Sequence, residues 1–244
     1  MGGTGGAAST LDKFSFFITS MKAMQRLSGS DMGFGGDLRY GTNSGLTGAD
    51  KICTEIAETS MPGAGAKQWH ALLSTVAGPV HARDRIGKGP WYDRLGRLVA
   101  NNLTDLFQDR PATAASAIKQ DLPNEDGVPN HRPDPAAPED DNHHILTGSD
   151  TAGMLYTAEP RATCSDWTSS STNNATTGDG VGRPRIGFSW TAQGRTNWIS
   201  GQTEGGCGAG ITGIGMENGG SNPSNPIVGS GGGYGGIYCF AMTP

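Results

Sequence analysis

HHILTGSDTAGMLYTAEPRATCSDW, residues 143–167, is the stretch from which the fold of this chain is read. An apolar pair, Ile145 and Leu146, stands before a turn of Thr147, Gly148, Ser149 and Asp150, and a loop then leads to Cys164 and Trp167. A cysteine this close to a tryptophan reads as a disulfide anchored beside a large buried ring. Three further cysteines, Cys53, Cys207 and Cys239, lie far away in sequence. The economical arrangement is a domain whose ends are tied by one bridge, with a second bridge pinning the half that follows Cys164.

Composition sets the limits around that stretch. Across 244 residues no linker-like run separates two apolar blocks, so a single domain at 11–244 follows a flexible leader at 1–10, with long insertions at 109–144 and 208–236. Hydrophobic residues supply 34% of the chain, charged residues 17%, and glycine 40 positions, which suits short strands and many turns around a modest core. A formal net charge of −5 removes the electrostatic reason to expect a nucleic-acid partner. The even cysteine count without a C-x-x-C spacing points to structural disulfides outside the reducing cytosol rather than zinc or redox work. A bridge from Cys53 to Cys239 would close most of the chain and contribute roughly 4–5 kcal/mol in the loop-entropy model. No apolar run reaches the length of a membrane span, and no signal peptide is read. Met1 followed by GGTGGAAST reads as an expression start on a tether of the kind that follows the lipidated cysteine of a bacterial surface lipoprotein, so a lipid anchor before the leader is an expectation.

The elements follow in order. Phe14, Phe16, Phe17 and Ile18 give a first strand, and the glycine-rich run to residue 45 reads as a loop. Thr47-Gly-Ala-Asp50 has the form of a capping box opening a helix whose apolar stripe is Ile52, Cys53, Ile56 and Ala57. Gln68–Thr75 returns as a core strand, Leu95–Val99 as a strand or turn, and Leu103–Gln108 as a short helix capped by Asn102 or Thr104. Ile186–Thr191 and Asn197–Ile199 alternate as two strands, and Ile237–Ala241 is the last.

Several groups of residues are candidates for binding. Asp121, Asn124, Glu125, Asp126, Asp134, Glu139, Asp140 and Asp141 offer the oxygen ligands that calcium takes, without the EF-hand spacing; a solvated acidic loop is the alternative. Calcium is therefore the candidate ion. Zinc at His143 and His144 is weaker, because neighbours on a strand point to opposite faces. Arg83, Asp84 and Arg85, beside Trp91, form either an anion- or sugar-binding cluster or an internal salt-bridge network. Tyr156 and Tyr234 are candidate contact aromatics on a recognition face built from the two long insertions, although Tyr234 could equally plug and order its loop. No G-x-S-x-G or H-E-x-x-H motif occurs, and a hydrolase would have to be assembled from Ser74, His81 and Asp84. A non-catalytic binding module is the leading expectation, with a self-assembling matrix or filament subunit, and hence a homo-oligomer, as the structural alternative.

The segments FFITS, LTGADKIC, WHALLST, ARDRIGKGPWY, ILTGSDTAG, TCSDWTS and GGIYCFA, in this order across residues 14–241, resemble a family of bacterial secreted proteins and lipoproteins that carry an endostatin-like domain of the C-type lectin fold. The resemblance implies an α+β domain with a mixed, short-stranded antiparallel sheet, one or two helices, long loops and two disulfides. It implies the pairing Cys53–Cys239 and Cys164–Cys207. The E-P-N or Q-P-D and W-N-D motifs of sugar-binding relatives are absent, Glu159-Pro160-Arg161 being an incomplete echo, so calcium-dependent sugar binding is not implied. Implied instead are an extracellular or bacterial outer-surface location and, as partners, an extracellular protein, a matrix component or a glycan.

Overall fold

The computed structural model describes residues 10–131, 142–173, 182–192, 194–212 and 222–242. Along the chain come α1 (Thr10–Lys13), β1 (Phe16–Ile18), α2 (Met21–Ser28), α3 (Gly45–Ser60), β2 (Trp69–Ala71), β3 (Trp91–Tyr92), β4 (Leu98–Ala100), α4 (Leu103–Leu106), α5 (Ser116–Lys119), β5 (His144–Leu146), β6 (Arg185–Phe188), β7 (Gln202–Thr203) and β8 (Gly233–Ala241). The last strand organises the rest. β1 and β2 both pair antiparallel with the C-terminal half of β8, and β5 runs parallel to its N-terminal half, giving the order β1-β8-β5-β6-β7 with β2 also on β8. The expected antiparallel sheet therefore holds one parallel pair, and the fold is α+β with a mixed sheet.

All nine residues of β8 are buried, because both faces of the sheet are covered. Alternation along the strand sends Ile237, Cys239 and Ala241 to one core and Tyr238 and Phe240 to the other. α3 covers the first face with Ile52, Cys53, Ile56 and Ala57, the stripe its sequence announced. The second face packs on the β3–β4 hairpin through Trp91, Val99 and Ala100, and on Trp198.

Both bridges form, Cys53–Cys239 and Cys164–Cys207. The first ties α3 to the central strand. The second anchors a turn in which Cys164, Ser165, Asp166 and Trp167 all have positive φ, between 48° and 63°. Left-handed backbone costs roughly 1–2 kcal/mol per non-glycine residue. Several contacts offset it: the Asp166 carboxylate accepts the amides of Val76 and Ala77 at 2.7 and 2.9 Å, and the Trp167 indole donates to the Ser74 carbonyl at 2.8 Å.

Three local expectations are corrected. The run after β1 is not all loop: Ser20 caps α2 by accepting from the Ala23 amide, and Gly29 ends it at φ 68°. α3 begins earlier than Thr47, because Ser44 is its cap and Asp50 pairs with Arg85 instead of closing a capping box. Asn197–Ile199 forms no strand; the Asn197 side chain accepts the Ile199 and Ser200 amides and turns the chain. No helix among the described residues is long and apolar enough to cross a membrane.

Candidate functional site

The site is built where α2 begins. β1 delivers the chain to Ser20, and Pro123 and Asn124 run beside β1, with the Ile18 amide donating to the Pro123 carbonyl at 3.0 Å. Asn124 then folds the loop back on itself. Its side chain accepts the amides of Asp126 and Val128 at 3.0 and 3.1 Å, and Gly127 takes φ 75° to complete the turn. This places Glu125 against the first turn of α2. Its carboxylate accepts the Ser20 amide at 2.8 Å and the Ser20 hydroxyl at 2.6 Å. The Glu125 carbonyl in turn accepts the Ser60 hydroxyl at 2.6 Å, tying the loop to the end of α3.

Between these three pieces lies a cleft of about 330 Å³. Met21 and Ala23 of α2, Ile56 of α3 and Val128 of the turn give it apolar walls, Lys22, Arg26 and Asp126 supply charge, and Asn142 also lines it. Glu125 is 6% exposed and no ion pair reaches it among the described residues. Desolvation by burial pushes its carboxyl up to about 7, against the opposing pull of the Ser20 hydrogen bonds. A desolvated ionisable group in a cleft is how functional sites differ from ordinary surface. The Asn142 carboxamide oxygen is buried and has no hydrogen-bond partner among the described residues. Behind the cleft Tyr234 is buried and donates its hydroxyl to the Thr19 carbonyl at 2.5 Å.

A second buried polar group joins β5 to β7 and the residue after it. His144 Nδ1 lies 2.5 Å from Glu204 Oε2, and its Nε2 is 2.9 Å from the Gln202 amide nitrogen. The adjoining cavity is only about 10 Å³. That holds at most one water, so the pair fixes β5 against β7 instead of serving a ligand.

No protein-family model and no curated protein matches this chain. Its site residues are therefore judged on geometry.

Of the calcium candidates, Glu125 enters the cleft as described. Asn124 spends its side chain on the turn, Asp121 accepts the His131 amide at 2.9 Å, and Asp126 is exposed. Burial also raises the Asp121 carboxyl above its ordinary range. Asp134, Glu139, Asp140 and Asp141 lie outside the described residues. Among the described residues no group of three or more His, Cys, Asp and Glu side chains could hold a metal.

The aromatic and basic candidates separate. Tyr156 is 44% exposed with the Arg185 guanidinium over its ring at 4.5 Å, a surface contact pair. Tyr234 and Trp91, read as contact residues, are each 1% exposed and belong to the interior, Tyr234 as the plug that orders its loop. Arg85 is locked by a bidentate pair to Asp50 at 2.7 and 2.9 Å, and Arg83 lies over Phe107 and donates to the Ala152 carbonyl at 3.1 Å. Their cluster is an internal network. Ser74, His81 and Asp84 do not assemble: the Ser74 hydroxyl contacts Ser149 Oγ at 2.8 Å and the Ala82 amide, while His81 Nδ1 accepts from the Leu155 amide.

Sequence reasoning missed that Glu125 faces a cleft, because the signal was read as metal chemistry. Asn124-Glu-Asp-Gly127 is equally the pattern of a tight turn, with asparagine first and glycine in the left-handed position.

Proposed function

We propose that this chain is a non-catalytic binding module that works outside the cell, of the endostatin-like branch of the C-type lectin fold, and that it recognises a protein, matrix component or glycan through the cleft between α2, α3 and the Asn124–Val128 turn. The observation that carries this is the cleft itself, which is preformed, apolar on its walls, and centred on one buried carboxylate. Two disulfides across 186 and 43 residues of sequence suit an oxidising compartment.

The test is a fragment screen followed by methyl and amide NMR. Ligands are expected to shift the resonances of Ala23, Ile56 and Val128 without being turned over. Hits that map consistently elsewhere, or turnover of a bound ester, peptide or glycoside, would overturn it. A second reading, self-assembly, is favoured by Leu95 and Val128, which are 53% and 40% exposed on either side of Gly127, whose added Cβ would meet Leu95 at 2.6 Å. Light scattering across a hundredfold range of concentration separates the two, since only assembly makes the mass concentration-dependent.

A further inference from the structure

We infer that two copies of this chain associate face to face over the cleft, the Leu95 side chain of each entering the cleft of the other; this rests on the self-assembly reading and supplies its surface and its limit of two copies. The argument begins at the tip of the β3–β4 hairpin. A single exposed leucine is ordinary on any surface. What sets Leu95 apart is how it is held. Asp93, fully buried, accepts the amides of Leu95 and Arg97 at 3.0 and 2.8 Å and pairs with the Arg97 guanidinium at 2.5 Å. Arg97 also donates to the Gly127 carbonyl at 2.5 Å, and Arg94 donates to the Ser60 hydroxyl and carbonyl, each at 2.8 Å. The hairpin tip is thereby fastened to the Asn124–Val128 turn and to the end of α3, two of the pieces that wall the cleft. A buried carboxylate and two arginines thus hold an apolar side chain out in solvent, beside an apolar cavity. Such preorganisation removes part of the ordering cost that association carries.

The cleft supplies the other half of the contact. A Cβ built on Gly127 would stand 2.6 Å from Leu95 Cγ, and the neighbours of that glycine, Asp126 and Val128, both line the cleft. Knob and hole therefore share one rim. The volume of about 330 Å³, with its apolar walls, has room for a leucine side chain. Charge is divided across the same opening. Arg26 on α2 and Asp126 on the turn are both exposed, both line the cleft, and form no ion pair with each other or with another of the described residues.

A face that carries a knob with a hole, and a cation with an anion, is complementary to itself under a two-fold rotation. Leu95 of one copy meets the cleft of the other and Arg26 meets Asp126, each contact being made twice. This arrangement uses every half-contact and closes at two copies. A head-to-tail contact would need the two halves on different faces and would build rings or filaments instead. A ligand in the cleft and a second copy use the same walls, so they exclude each other.

The experiment is sedimentation velocity on the oxidised full chain across a hundredfold range of concentration. The mass is expected to rise from one copy to two and to stop there. Leu95→Asp, checked for an unchanged circular dichroism spectrum, is expected to weaken the dimer at least ~10-fold, because it carries a charge into an apolar cleft. Arg26→Asp and Asp126→Arg, at exposed positions, are each expected to weaken it ~10-fold by setting like charges together. An equimolar mixture of these two variants is expected to regain the wild-type affinity, because both contacts of the mixed dimer then pair opposite charges. The mixture reads the same surface without touching the hairpin, so it decides even where Leu95→Asp fails to fold. A folded Leu95→Asp that dimerises as the wild type does, a mixture that associates no better than either variant alone, or a mass that grows beyond two copies overturns this surface and leaves self-assembly standing. A wild-type mass of one copy at every concentration overturns both.

Discussion

The Glu125 carboxylate sits on the first turn of α2, taking both the amide and the hydroxyl of Ser20, at 2.8 and 2.6 Å. Two consequences conflict. The hydrogen bonds and the helix N-terminus favour the ionised form, whereas burial disfavours it, and burial wins, raising the carboxyl from 4.5 to about 7.

Stability should therefore fall as pH rises. The folded state holds the Glu125 proton up to about 7, while the unfolded chain releases it near 4.5. The stabilisation is complete below the lower value and is lost through the higher one, a difference of about 3 kcal/mol. Urea unfolding of the wild type and of Glu125→Gln at pH 5 and pH 8 checks this. The wild type should lose more stability across that interval than the variant; parallel losses would show that Glu125 titrates as it does in the unfolded chain.

The two bridges should contribute unequally. Cys53–Cys239 spans 186 residues of sequence and Cys164–Cys207 spans 43, which in the loop-entropy model correspond to about 5 and about 4 kcal/mol. Replacing each pair by alanine and comparing denaturant midpoints is the measurement. Cys53→Ala/Cys239→Ala is expected to be the more severe, because it releases the longer loop; all four cysteines are fully buried, so each pair of replacements also opens a cavity.

Much of this architecture was legible from local chemistry. The α3 stripe, the aromatic first strand and the final strand each carried its period in plain view, and the cysteines carried the closure. What escaped depended on partners distant in sequence. α2 is only eight residues long, with Ala23 and Met24 as its buried pair, so its pattern is short beside the surrounding glycines. Asp50 looks like a capping-box acid until Arg85 is seen beside it. Tyr234, on a glycine-rich run, looks exposed until Thr19, 215 positions earlier, is found accepting its hydroxyl. The cleft was invisible for the same reason, because Ser20, Ser60 and Glu125 meet only in three dimensions.

Arg110 should tolerate no replacement, including lysine. It is 6% exposed and pairs with no carboxylate among the described residues; its guanidinium instead donates to the carbonyls of Lys119, Phe188 and Ser189 at 2.9, 2.6 and 2.6 Å. This planar fork joins α5 to the end of β6. A lysine ammonium cannot reach three carbonyls arranged for a guanidinium, so Arg110→Lys is expected to cost about 2–4 kcal/mol in chemical denaturation. A loss below about 1 kcal/mol, the scale of one neutral hydrogen bond, would mean that water replaces the fork.

Gly48 provides a test in which two ordinary rules oppose each other. Within a helix, alanine is favoured over glycine by about 1 kcal/mol, and Gly48 lies inside α3. Propensity alone therefore predicts that Gly48→Ala stabilises. The packing predicts the reverse. A Cβ built on Gly48 would stand 2.1 Å from the Leu38 carbonyl oxygen and 2.2 Å from that of Arg39. Those atoms are backbone, and Leu38 is fixed in turn by its amide, which donates to the Trp167 carbonyl at 2.9 Å. The strand of chain at Leu38 is thus held between α3 and the left-handed turn beside the Cys164–Cys207 bridge, and it cannot yield without disturbing both. Gly48→Ala should lower stability by about 2–3 kcal/mol despite its better propensity. Thermal and urea unfolding of this single variant decide between the rules: a higher midpoint would show that the Leu38 segment moves aside, and a lower one that the close approach is required by the fold.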